Sequence, residues 1–247
     1  MFYAFSASSE TIDFARTLLG SGQYAEAMAA GQNLKTSEGY ALAAEALSAQ
    51  LILGRFEDLN KYAHDALLLA EKAVELDPNN ENAHVQYALA YGVMTRTTSV
   101  FTAWRKKYPT KSFEIVQALR ERYPDNPKAD ALLGAWHLGV VRKAGEKNGQ
   151  KWYGASVADG MAAFNSALKG APQDILIAST FAAFLCVLEP EQHSSHTRAL
   201  LEWVANAPEQ TEMDRDIKAR MAGILAAFDT PEVASKMSED FLEGLQP

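Results

Sequence analysis

Apolar side chains recur along most of this chain at the three- and four-residue spacing of one face of an α-helix. Three segments show it most clearly: Phe113, Val116, Leu119 and Tyr123; Met213, Ile217, Met221, Ile224 and Phe228; and Val233, Met237 and Phe241. The apolar–polar alternation that indicates a strand is scarce. Asn126-Pro127 and Thr230-Pro231 each resemble a helix N-cap followed by a first-turn proline. The pattern therefore predicts an all-α chain of about ten or eleven helices.

Small residues also recur at a fixed distance from prolines. Pro78, Pro124 and Pro172 each end a helical segment, and ten positions after them stand Ala88, Gly134 and Ala182. A large apolar residue precedes each small one: Tyr87, Leu133 and Phe181. An upstream spacing of four, three and five residues is shared by two segments: Ala66, Ala70, Ala73 and Pro78; and Gly160, Phe164, Ala167 and Pro172. Such repetition indicates stacked structural units.

These residues resemble the tetratricopeptide repeat, a helix–turn–helix unit of about 34 residues. In that repeat, small residues let neighbouring helices approach closely, and the proline ends the second helix. The resemblance implies an α-solenoid of about five hairpins with a C-terminal capping helix pair, forming one superhelical domain over 1–247. A degenerate repeat is expected at about 8–36, followed by repeats at about 37–80, 81–126, 127–174 and 175–210 and a cap at about 211–247.

Two repeats exceed the standard length by roughly a dozen residues. The extra residues fall at about 93–110 and 144–154. The first insert carries Val100, Phe101 and Trp104 in a helical rhythm and is expected to form a short helix, whereas the second is interpreted as a loop. The helix before Pro78 is expected to run unbroken from about Phe56.

Long, irregular repeats of this kind are similar to two looser groups. One is the T-component of bacterial TRAP transporters, and the other is the repeat domain of the regulator of microtubule dynamics proteins. The second resemblance rests on one stretch: Leu133 to His137, Tyr153-Gly154, Phe164, Ala167 and Pro172. The resemblance to the T-component implies a protein that stores or hands over a small apolar ligand.

Composition excludes several classes of protein. The chain has 247 residues, of which 48% are hydrophobic and 22% charged, and these are the values of a globular protein. A single cysteine excludes an internal disulfide. The first ten residues show no secretory signal, and no apolar run is long enough for a membrane span. A cytoplasmic location is predicted, or a periplasmic one if a leader has been removed.

Charge is distributed unevenly. The net charge is −8, which argues against nucleic acid as the main partner. Residues 81–151 are nevertheless basic, and their cations include Arg105, Lys106, Lys107, Lys111, Arg120, Arg122, Lys143, Lys147 and Lys151. Either these form a solvated helix face and loop, or they form a docking patch for an acidic partner or for the acidic end of another copy. A homo-oligomer is thus left open.

The first helix of each repeat is expected to line a concave inner face. Its predicted residues are small and apolar for the most part: Ala41, Ala44, Ser48, Leu51, Val85, Leu89, Ala131, Ala135, Leu138, Ser179, Ala183 and Cys186. Related chaperone adaptors grip a C-terminal carboxylate with cations on this face, and those are missing here. The face suits an apolar peptide, an amphipathic helix or a lipid-like ligand. Alternatively, the C-terminal helix with Phe241 and Leu242 fills it.

Candidates for chemistry are weak. Cys186 lies in an apolar helix and is interpreted as core, while Ser156 is interpreted as a helix cap. His193 and His196 stand near Glu189 and Glu191, a spacing that a metal could use, but a solvated pair is favoured. His137 is interpreted as a hydrogen-bonded core residue, with a ligand contact as the alternative. Neither a metal nor a cofactor is expected, and an enzyme is the least supported class.

The sequence therefore predicts a non-enzymatic scaffold that holds a protein or peptide partner, with an apolar-ligand binder as the alternative. Aromatic and arginine side chains are typical interface anchors. The expected contact residues are a group around the second insert and three inner-face residues: Trp136, His137, Arg142, Trp152 and Tyr153, with Leu89, Ala135 and Leu138.

Overall fold

The structure is a computed structural model that describes residues 11–96, 100–188 and 191–246. The described residues form fourteen α-helices and no strand, which confirms the all-α prediction but exceeds the expected number of helices. In chain order the helices are α1 (Ile12–Gly20), α2 (Tyr24–Asn33), α3 (Ser37–Leu53), α4 (Leu59–Leu76), α5 (Glu81–Arg96), α6 (Val100–Arg105), α7 (Tyr108–Arg122), α8 (Pro127–Ala144), α9 (Glu146–Tyr153), α10 (Val157–Gly170), α11 (Ile175–Leu188), α12 (Ser194–Asn206), α13 (Glu212–Ala226) and α14 (Pro231–Leu242).

Side-chain caps set many of the helix starts. Thr36 caps α3, Asn126 caps α8 and Ser156 caps α10, each by accepting a hydrogen bond from a backbone N–H of the first turn. Asp58 does the same for α4, so that helix begins at Leu59 and not at the predicted Phe56. The position of each polar cap residue therefore determines where its helix, and with it the apolar face of that helix, begins.

Twelve of the described helices pack as pairs that follow one another along the chain, and α6 and α9 each lie between the two helices of a pair in the sequence. The two helices of a pair touch in α1–α2, α3–α4, α5–α7, α8–α10, α11–α12 and α13–α14. The second helix of each pair also touches the first helix of the next, and neighbouring first helices touch as well, as α3 touches α5 and α8 touches α11. This contact order repeats along the chain.

Small residues permit the close approach of the paired helices. A Cβ atom added to Gly134 of α8 would stand 2.5 Å from a ring carbon of Phe164 on α10. The reciprocal site is Gly160 of α10, where an added Cβ would stand 2.5 Å from Leu138 on α8. Ala88 and Ala182 are likewise buried. The predicted packing role of these residues is confirmed by their burial.

The two inserts both form helices. The first contains the expected short helix, α6, which is separated from α7 by a left-handed backbone turn at Lys107 (φ 56°). The second was expected to be a loop, but its residues form α9, which ends at the left-handed Gly154. Gly145 precedes α9 and Gly154 follows it. The residues between the two glycines are mostly polar, and one face of the helix packs on α8.

The C-terminal helices return to the third helix of the chain. Both α13 and α14 touch α3. Arg220 Nη2 and Gln246 Nε2 donate to the Leu53 carbonyl at 2.6 and 2.8 Å, and Arg55 pairs with Asp216 at 2.5 Å. These bonds join residues that are far apart in sequence, so the last helices close onto the third. No helix in the described ranges is long and apolar enough to span a bilayer.

Candidate functional site

The C-terminal helix α14 covers the part of the predicted inner face that lies on α11. It packs against α11 and touches α3. The inner-face residues of these two helices are buried: Ala41, Ala44, Ser48 and Leu51 on α3, and Ser179, Ala183 and Cys186 on α11. On α5 and α8, Leu89, Ala131 and Ala135 are partly buried. Val85 and Leu138 are buried without α14, by α7 and α8 and by α10 respectively. Ala183 and Cys186 of α11 share a core cluster with α14, whereas Ala41, Ala44 and Leu51 of α3 pack with residues of α4 and α5. The contacts of α14 therefore agree with the filled alternative at α11, and they do not account for the burial of these α3 residues.

The sequence of α14 is suited to this position. Thr230-Pro231 starts the helix, as the sequence predicted. Ala234, Ser238, Phe241 and Leu242 are buried. Lys236 and Asp240, four residues apart, form an ion pair within the helix. Buried apolar residues and charged ones thus share a single helix that is amphipathic.

Arg142 of α8 anchors α14 by two carboxylates. Its Nη1 donates to Glu239 Oε2 and its Nη2 to Glu243 Oε1, both at 2.5 Å. Only 7% of the Arg142 side chain is exposed, and Lys143 Nζ adds a third bond to Glu243 at 2.8 Å. Two parallel charge-assisted bonds from one guanidinium fix position as well as charge. Arg142 therefore sets the register of α14 on the fold.

These bonds also control the ionisation of Glu243. Burial by itself raises the pKa of this carboxyl. The hydrogen bonds and charges of Lys143 and Arg142 outweigh burial, and the pKa of Glu243 lies below its usual range. The carboxylate is consequently held in the charged form that the anchor requires.

Cys186 lies under α14. Burial raises the pKa of its thiol, and the nearby hydroxyl of Ser238 on α14 partly opposes that shift. A thiol whose pKa is raised is a poor nucleophile, so the geometry agrees with the interpretation of Cys186 as core. Its position makes it a reporter of whether α14 is in place.

The predicted contact residues occupy three different environments. Trp136 and His137 are buried beside Phe113 of α7, and Trp136 Nε1 donates to the Pro109 carbonyl at 2.8 Å. Arg142 is held by α14. On α9, Trp152 is 56% exposed and Tyr153 is partly buried. The structure thus does not gather this group into one patch.

His137 has the environment of a core residue. Its Nδ1 accepts a hydrogen bond from the Ser156 backbone N–H at 3.3 Å, just before α10 begins. Burial lowers the pKa of His137, and the charge of Asp159 partly opposes that shift while Arg120 reinforces it. Leu138, the next residue, is fully buried against Gly160. These two residues join α8 to α10.

Both histidines of the pair beyond α11 are partly buried and not fully solvated. His196 packs its ring against Phe181, and burial lowers its pKa. Glu189 lies outside the described residues. Within the described part of the chain, no group of three or more potential metal ligands is present.

Glu239 and Glu243 are the site residues that sequence reasoning missed. They stand four residues apart, so they project from the same face of α14. A pair of carboxylates at that spacing beside the buried Phe241 and Leu242 is a signal for a cation on the surface that the helix covers. Arg142 is about a hundred residues away from these glutamates in the sequence, so no local pattern linked it to them.

Neither protein-family models nor curated proteins provide a relative of this chain. No family model matches the chain, and a search of curated proteins finds no match. The site must therefore be interpreted from its own geometry.

Proposed function

We propose that this chain is a non-enzymatic binding protein of the tetratricopeptide-like class, whose inner face holds an amphipathic helix of a protein partner. The observation that carries the proposal is the docking of α14. This helix packs on α11 and touches α3, buries Phe241 and Leu242, and is anchored by Arg142. A face that accepts one amphipathic helix has the shape and charge to accept another.

The contact order supports a solenoid as the framework of this face. Five helix pairs, α1–α2, α3–α4, α5–α7, α8–α10 and α11–α12, correspond in order to the five predicted hairpins, and α13–α14 corresponds to the cap. Contacts between neighbouring first helices are those expected when hairpins stack. First helices stacked in this way form one continuous surface, on which a helix can lie across several repeats.

The chemistry of α14 specifies the partner. A competing helix needs large apolar residues at the positions of Phe241 and Leu242, and two carboxylates four residues apart to meet Arg142. Lys143 adds to the positive charge near Glu243. An acidic amphipathic helix that displaced α14 would thus satisfy the same groups.

Peptide titration tests this proposal. A fluorescent peptide of residues 230–246 is added to the full-length chain and to a Glu239→Ala/Glu243→Ala double variant. The double variant is expected to bind the peptide at least tenfold more tightly, because its own α14 has lost the bonds to Arg142; tenfold corresponds to about 1.4 kcal/mol. Introducing Arg142→Ala into the double variant is expected to remove that gain.

Two controls make the titration decisive. Lys236→Ala alters an exposed residue of α14 that does not contact Arg142, and it is expected to leave peptide affinity at the wild-type value. A scrambled peptide of the same composition is expected not to bind. Equal binding of the scrambled and native peptides, or no gain in the double variant, would count against the inner face as a helix-binding site.

A second candidate function rests on a cavity between α13 and α14. Its volume is about 220 Å³, and apolar groups of Ile224, Met237 and Phe241 line it beside Arg220 and Asp240. Pockets for drug-sized ligands have roughly 300–1,000 Å³. The cavity is therefore suited to a smaller apolar molecule. Native mass spectrometry of the purified protein tests this function: a co-purified small mass would support it, and a bare chain would count against it.

A further inference from the structure

The helix of the first insert presents two aromatic side chains to solvent. Phe101 is 68% exposed and Trp104 is 59% exposed, and their ring centroids are 6.2 Å apart. They lie on α6, a helix of six residues that touches α7. Large aromatic residues exposed together are uncommon on a soluble surface and indicate a contact surface.

Cations surround these aromatic residues. Arg105, Lys106, Lys107 and Lys111 are all exposed, and none of them forms an ion pair with a residue that the structure describes. Lys106 and Lys111 lie over the rings of Tyr108 and Tyr91 at 5.6 and 5.5 Å. No acidic residue occurs in the sequence between Glu81 and Glu114. The segment that contains α6 therefore carries an excess of positive charge.

The second insert lies on the same edge of the molecule. The Pro109 carbonyl, in the first turn of α7, accepts a hydrogen bond from Trp136, and the Ser156 N–H, just before α10, contacts the adjacent His137. Thus α7 and α10, the second helices of their pairs, begin at the same level along α8. Because the two inserts directly precede these helices, we infer that they share an edge. The second insert contributes the exposed Trp152, Lys147 and Lys151.

We propose that this insert edge, defined by Phe101, Trp104 and Trp152 with the neighbouring cations, docks on the surface of a bilayer that contains anionic lipid. Tryptophan and phenylalanine enter the boundary between headgroups and acyl chains, and lysine and arginine attract anionic headgroups. Phe101 and Trp104 are both more than half exposed on a short helix that packs on α7. A soft surface can accept such side chains, whereas a folded acidic partner would need a matching pocket.

This edge is separate from the inner face, so the two proposals fail independently. Each cation near an anionic surface strengthens binding by roughly fivefold. An Arg105→Ala/Lys106→Ala/Lys107→Ala triple variant is therefore expected to lose about a hundredfold in vesicle partitioning. A Phe101→Ser/Trp104→Ser double variant is also expected to lose most of its binding, since the apolar insertion is removed.

Vesicle flotation with the full-length chain tests the proposal. Phosphatidylcholine vesicles are compared with vesicles in which about a third of the lipid is phosphatidylserine, at low and at raised salt. The wild-type chain is expected to float only with the anionic vesicles, and less so at raised salt. Phe14→Ser, at an exposed aromatic residue of α1, is the matched control and is expected to float like wild type.

Three results would overturn the proposal. The first is absence of flotation with anionic vesicles at low salt. The second is flotation that both edge variants retain at the wild-type level. The third is binding of soluble polyglutamate as strong as binding of the anionic vesicles, which would assign the edge to acidic proteins. Circular dichroism of both edge variants is expected to match wild type, so that lost flotation reports on the surface.

Discussion

The face under α14 and the insert edge place the same residue types in opposite environments. Where α14 packs on the fold, its Phe241 is buried and Arg142 of α8 pairs with two carboxylates. The apolar side chain and the charges therefore find their partners within the chain. On the insert edge, Phe101 and Trp104 are exposed and Arg105 and Lys107 lack an ion pair with any described residue. The contrast teaches that residue type alone does not locate a binding surface, because the decisive question is what covers the residue.

The largest expected difference compares two phenylalanines. Phe241→Ala removes a buried ring and is expected to lower the free energy of unfolding by about 3–5 kcal/mol. Phe101→Ala, at a ring that is mostly in water, is expected to change it by no more than about 0.5 kcal/mol. Urea denaturation measures both. Comparable losses at the two sites would contradict the contrast between a covered face and an open edge.

The next effect concerns the charges of the covered face. Arg142→Ala removes the cation that pairs with Glu239 and leaves Glu243 with Lys143 alone. The expected loss is about 2–3 kcal/mol, below the range for a fully buried pair because both carboxylates retain some exposure. Lys61→Ala removes an exposed pair with Asp65 and should leave the free energy of unfolding almost unchanged in the same assay. If Arg142→Ala were as mild as Lys61→Ala, Arg142 would not be the anchor of α14.

A third comparison lies within one helix. Gly134 of α8 faces the fully buried Phe164, whose ring stacks on Phe181 at 4.9 Å and cannot easily move. Gly134→Ala is expected to cost about 1–3 kcal/mol by overpacking. An added Cβ at Gly139 meets nothing within 4 Å, so Gly139→Ala is expected to gain up to about 1 kcal/mol in helix propensity. Thermal unfolding that shows the reverse order would contradict the close packing of α8 on α10.

The smallest effect is the pH dependence of His137. Burial lowers its pKa from the ordinary value of 6.5, so below that pH the unfolded chain binds a proton that the folded chain resists. Stability is thus expected to fall as the pH drops through and below 6.5. His137→Gln should flatten this slope between about pH 7 and 5, with the exposed His64→Gln as the control. An unchanged slope in His137→Gln would show that the ring is not buried in its neutral form.

The sequence predicted those features that local patterns determine. Helical periodicity and the caps at Asn126 and Ser156 indicated helices that the structure shows, and the ten-residue offset correctly marked Ala88, Gly134 and Ala182 as packing sites. The second insert was predicted as a loop because its composition is polar. Packing against α8 and the two terminal glycines make it a helix instead.

The site was harder to predict because its parts are distant in sequence. Arg142 and Glu243 are about a hundred residues apart, and neither carries a local signal of the other. The burial of Ala183 and Cys186 on α11 depends on where α14 packs, and periodicity within α14 gives its amphipathic face but not its docking place. Tertiary contact therefore decided whether predicted contact residues such as Arg142 and Trp152 became buried or exposed.

Cys186 offers the most direct test of the central claim that α14 covers the inner face on α11. It is the single cysteine of the chain, it is buried, and it lies beside Ser238 of α14. Its rate of labelling by a thiol reagent is expected to be far below that of the urea-unfolded chain, to rise in the Glu239→Ala/Glu243→Ala variant, and to stay unchanged in Phe101→Ser/Trp104→Ser. Fast labelling of the native wild type, or no increase in the glutamate variant, would contradict the claim.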